Sequence, residues 1–107
     1  MNAEDNVIKL NLTERKALEI VRDIAEHNTA RVATTNHAKQ RMRERGITRL
    51  DILRCLMHGK IIEGPYRSAR GNWEFKMCSL ESGERVQVVA ALENDGNGNL
   101  VIIITTF

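Results

Sequence analysis

Asn72-Trp73-Glu74-Phe75-Lys76-Met77-Cys78-Ser79-Leu80 is the stretch whose reading decides the fold. Trp73, Phe75 and Met77 alternate with Asn72, Glu74 and Lys76, and successive side chains of a strand point to opposite faces, so this segment predicts a strand with one buried and one wet face. Trp73 shares its face with two other large apolar residues and is expected to pack in the core. Working outward, Ser82-Gly83 makes a turn into a strand over 85–92, and the Asn/Gly-rich loop 94–99 leads to a last strand over 100–106 that is apolar on both faces, hence central. Upstream, Lys60-Ile61-Ile62-Glu63 is a first strand, stopped by Gly64-Pro65.

The first half has a helical period instead. Thr13 is expected to cap a helix to about His27 whose Ala17, Leu18, Ile20, Val21, Ile24 and Ala25 form an apolar stripe. Residues 30–35 are rich in β-branched side chains and read as extended. Asn36 is a good cap for a helix over 37–45, which turns Ala38 and Met42 inward and ends at Gly46 in the left-handed conformation, with Ile47 as the apolar contact. Thr48 and Asp51 resemble a capping box opening a helix with Leu50, Leu53, Leu56 and Met57 as its buried stripe, ended by Gly59 in the same way as Gly46 ends its own. Helices followed by a strand meander predict an α+β domain over residues 13–107, with the helices packed on one face of a curved antiparallel sheet of about four strands, preceded by an arm over residues 1–12.

A chain of 107 residues suits one such domain. The longest apolar run, Leu100 to Ile104, is too short for a membrane span, and the first residues lack the pattern of a secretory signal, so no membrane and a cytoplasmic location are expected. Cys55 and Cys78 have no framework spacing and read as reduced thiols; Cys55-x-x-His58 offers too few ligands to predict a metal site, and no cofactor motif is present. His27 and His58 fall near helix ends, where an imidazole can meet exposed carbonyls. The formal net charge of +2 conceals an uneven distribution: −1 over residues 1–36, +6 over 37–71 and −3 over 72–107. A basic block between acidic flanks suits one surface that meets a polyanion, although a solvated helix pair would carry the same charges.

Within that block His37, Arg41 and Arg45 are four residues apart, which on a helix stacks them on one face at intervals of roughly 6 Å. Arginine forks match phosphate oxygens and an imidazole moves protons near neutral pH, so the pattern suits a phosphate whose ester bond is handled. RNA supplies a 2′-hydroxyl beside each phosphate; cleavage without a metal needs a base for that proton, cations on the phosphoryl oxygens and an acid for the leaving oxygen. His37 fits the proton-transfer role, and Arg41 and Arg45 fit the clamp. Lys39, Lys60, Arg67 and Arg70 add positive charge for RNA, and Tyr66 offers a ring on which a base can stack. Thr105 and Thr106 point to opposite faces of the last strand, so only one of them can join a site.

His37-Ala38, Arg41-Met42, Glu44-Arg45-Gly46-Ile47, Asp51-Ile52, Gly59-Lys60-Ile61-Ile62 and the closing Ile-Ile-Thr-Thr-Phe resemble the DUF4258 family over roughly residues 33–107. The resemblance implies a metal-independent ribonuclease toxin of the barnase-like, EndoU-like and RelE-like kind, neutralised by a cognate antitoxin protein encoded nearby. Carried over by position, it implies His37 and Arg41 as the acid–base and phosphate residues, Arg45 in support, and Thr105 as the polar residue of the final strand. The strand over 85–92 has Gln87 and no histidine, so an arginine, a lysine or water would complete the proton transfer. A non-catalytic RNA- or protein-binding module of the same fold is the competing expectation.

Overall fold

The computed structural model describes residues 12–81 and 83–107. Thr13 caps the first helix of the described residues, α1 (Glu14–His27), by accepting from the Lys16 amide at 3.1 Å, and Ala17, Ile20, Val21, Ile24 and Ala25 are its buried face. A single 3₁₀ turn, Thr29–Arg31, leads into β1 (Val32–Thr34). Then come α2 (Asn36–Arg45), α3 (Arg49–His58), β2 (Lys60–Arg67), β3 (Trp73–Glu81), β4 (Glu84–Asn94) and β5 (Asn99–Thr106). The expected arm falls on residues outside those described, except that Leu12 is buried in the core.

The architecture is α+β: among the described residues, three helices lie on a sheet of five strands rather than about four, in the order β1-β5-β4-β3-β2. The extra strand is the three-residue β1, which pairs parallel to β5 and makes the sheet mixed; the other pairings are antiparallel. β2 also runs on through Gly64-Pro65 instead of stopping there, with register irregularities on either side of Glu63, the second of which spans Pro65 and accommodates its missing N–H.

Trp73, Phe75 and Met77, with Val88, Ala90, Leu92, Val101 and Ile103 opposite them, form the inner face under the helices. Burying a side chain such as Phe75 or Leu92 stabilises the fold by roughly 1.5–3 kcal/mol. Ile52, Cys55 and Leu56 of α3 complete the layer, whereas Leu50, expected in that stripe, is 51% exposed because it sits in the first turn, outside the face that meets the sheet.

Two local expectations need correction. The cap of α2 is Thr35, not Asn36: its hydroxyl accepts from the Ala38 amide at 3.0 Å and donates to the Ile104 carbonyl at 2.8 Å, so one side chain ties helix to sheet. Gly46 is left-handed at φ 66°, but Gly59 is extended at φ −75°. Gly59 is needed for closeness, since a Cβ there would lie 2.5 Å from the Cys55 carbonyl oxygen and 2.8 Å from that of Cys78.

Candidate functional site

Residues directly opposite one another in neighbouring strands share a face, so the strand register assembles the outer sheet face, away from the inner layer. One row runs Tyr66, Glu74, Ala91, Ile102 and Ala33; the next runs Glu63, Lys76, Val89 and Thr105; a third holds Lys60, Cys78 and Gln87. Three predicted residues therefore share this face without meeting: Lys60 and Tyr66 stand towards opposite ends of β2, and Thr105 is on β5, with β3 and β4 between. The opposite directions of Thr105 and Thr106 follow: Thr106 is fully buried with its hydroxyl donating to the Gln87 carbonyl at 2.7 Å. On the outer face lies a dish of about 330 Å³, to which Thr35, Arg70, Asn72, Glu74, Glu93 and Ile104 contribute. Asn72 donates to Glu93 at 3.0 Å, whereas the Glu74 carboxylate has no partner among the described residues.

α2 runs along the edge of β5 that β1 leaves uncovered. The Thr35 amide donates to the Ile103 carbonyl at 3.1 Å, and further along the helix the Arg41 Nε reaches the Thr106 carbonyl at 3.4 Å. The helix therefore begins at the outer-face dish, which Thr35 lines, and ends at a second depression of about 530 Å³ lined by Arg45, Arg54, Arg85 and Phe107 among others. His37 is exposed in the first turn, and its imidazole has no hydrogen-bond partner among the described residues. Arg41 is half-buried and also meets Glu44 at 3.6 Å, which leaves most of its five N–H donors unused.

The three residues of the stripe thus lie on one flank of α2 but do not share one cleft. Arg45 belongs to the lower depression, whose lining includes neither His37 nor Arg41. Lys39 is exposed but lies two residues from the stripe, roughly 200° round the helix from His37. Arg67 serves the fold: its guanidinium stacks over Trp73 at 4.6 Å from the ring centroid and donates to the Gly71 carbonyl at 3.0 Å. Arg70, by contrast, lines the dish.

Glu74, Arg54 and Arg85 are the residues that sequence reasoning missed. Glu74 read only as the wet alternate of a strand, and its place in a depression depends on the loop between β2 and β3 that brings Arg70 and Asn72 to that face. Arg54 and Arg85 are thirty-one positions apart in the chain, and only the packing of α3 against β4 unites them.

A family model described as a domain of unknown function, DUF4258, matches residues 34–107. No curated protein and no solved structure gives a significant match. No helix among the described residues is long and apolar enough to cross a membrane.

Proposed function

The chain belongs to the DUF4258 family, and we propose that it is a metal-independent endoribonuclease of the toxin kind, acting on RNA in the cytoplasm. The observation that carries this reading is the course of α2: an exposed imidazole, a guanidinium with most of its donors unused and an arginine-lined depression follow one another along the helix that borders β5. An RNA strand laid on the outer face meets Tyr66 for stacking, Lys60 and Arg70 for its backbone, and Thr105 as a hydroxyl partner. His37 moves the proton at the reacting ribose or the leaving oxygen, and Arg41 holds the phosphoryl oxygens as charge gathers there. Glu74 is the carboxylate that the dish offers for the complementary transfer, the role for which the sequence supplied only arginine, lysine or water. A cognate antitoxin would act by covering the basic flank of α2 with acidic side chains.

The test is digestion of RNA by the purified protein in EDTA. Fragments ending in 2′,3′-cyclic phosphate are expected, with a loss of roughly 10²–10⁴-fold in rate for His37→Ala and a smaller loss for Glu74→Gln. Intact RNA with the wild-type protein overturns the reading.

A second reading, an RNA-binding module without chemistry, is favoured by the lack of a protein group orienting the His37 ring among the described residues. It predicts RNA binding that is unchanged in His37→Ala, with no cleavage by either protein.

A further inference from the structure

The depression at the C-terminal end of α2 gathers three guanidinium groups from three elements: Arg45 from α2, Arg54 from α3 and Arg85 from β4. None of the three makes an ion pair or side-chain hydrogen bond with any described residue. Two carboxylates share the lining, but Asp51 commits one oxygen to the Thr48 amide at 2.9 Å to close the cap of α3, and Glu84 is exposed. The three guanidinium groups outnumber the two carboxylates and keep their planar N–H forks unpaired among the described residues, an arrangement that suits a bound anion able to accept from several forks at once. Phe107 on the rim is 40% exposed, with the Lys76 ammonium over its ring at 4.7 Å, outside the lining.

We infer that this depression is a phosphate-binding subsite, separate from the reacting centre, that holds a flanking phosphate of the polynucleotide. The inference rests on the proposed action on RNA for the identity of the ligand. Arg45 lies about 12 Å along the helix axis from His37, at a rise of ~1.5 Å per residue, and it is grouped with Arg54 and Arg85, so it serves a different phosphate from the one beside His37 and Arg41. The subsite anchors the strand at one end of α2 and thereby sets its register across the helix start.

The experiment is a binding titration with a short single-stranded deoxyribo-oligonucleotide, which lacks the attacking 2′-hydroxyl, so that binding is read whether or not the protein cleaves RNA. Arg85→Ala and Arg54→Ala are each expected to weaken binding roughly tenfold and to make the salt dependence shallower by roughly 0.7 in log–log slope for each phosphate that is no longer neutralised. Arg15→Ala, which removes the same charge from the exposed side of α1, should leave both quantities unchanged. Unchanged affinity and slope in both cleft variants, or no oligonucleotide binding at all, overturns the inference. Inorganic phosphate is the second probe: displacement of the Arg45, Arg54 and Arg85 side-chain NMR signals by phosphate, with no response to the oligonucleotide, assigns the cleft to a free phosphate and overturns its polynucleotide role. Cleft binding with no RNA cleavage by the wild-type protein would remove the nuclease reading and leave the subsite standing.

Discussion

Two sets of arginines occupy this small domain, and they differ in what their guanidinium groups touch. One set is used on backbone carbonyls: Arg22 donates to Gly59, Arg31 to Gly98 and Asn99, and Arg49 to both Thr29 and Val32, the latter two at 2.9 Å. These bonds tie α1 to the start of β2, the β4–β5 hairpin to the 3₁₀ turn, and α3 to the lead-in of β1. The other set, Arg45, Arg54 and Arg85, has no protein partner among the described residues and surrounds a depression. Charge counted along the chain weighs the two sets equally; only the first is consumed by folding, and only the second is left for a ligand.

Substitutions should separate the sets, beginning with Arg49→Ala. It removes two charge-assisted bonds to carbonyls and is expected to cost about 2 kcal/mol, lowering Tm by roughly 10 °C in a thermal melt. Arg22→Ala should follow at about 1 kcal/mol, less because the Arg22 Nε is already buried without a partner among the described residues. Arg54→Ala and Arg85→Ala should stay within about 0.5 kcal/mol of wild type, and a larger drop would show that these arginines hold the fold. Asp95→Asn should have the smallest effect, confined to the range above acid pH. The Arg31 hydrogen bond, at 2.7 Å, holds the Asp95 carboxyl below its usual range, with the Asn97 amide adding to it. A depressed carboxyl contributes fully above its unfolded-state pKa and loses that contribution as pH falls through the folded value. The melting temperatures of the wild type and the D95N variant should therefore differ near neutrality and converge in acid, and a difference that persists below the folded pKa would contradict the assignment.

Much of the fold was legible because its signals are local. The stripe of α1 and its Thr13 cap, the Thr48/Asp51 box of α3 and the alternation of Trp73, Phe75 and Met77 each fit within a few consecutive residues. What escaped depends on contacts distant in sequence. Val32–Thr34 is too short to announce itself as a strand and is one because β5 lies beside it. Thr35 and Asn36 are both good caps, and the choice falls to the residue whose hydroxyl also reaches Ile104. At the candidate site, the i, i+4 stripe placed His37 and Arg41 on one helix flank, and alternation separated Thr105 from Thr106. The assignment of Arg67 to RNA met a competitor invisible in the sequence, the Trp73 ring across the β2–β3 pair. Arg45 found its companions on α3 and β4 rather than on its own helix.

The most direct test of the central claim, that the flank of α2 is a phosphate-facing surface, is the side-chain NMR response to a short, uncleavable deoxyribo-oligonucleotide. The His37 ring and the guanidinium signals of Arg41, Arg45 and Arg85 should move on titration while those of Arg31 and Arg49 stay in place. Movement confined to other surfaces, with the His37 and Arg41 signals unshifted at saturation, would contradict it.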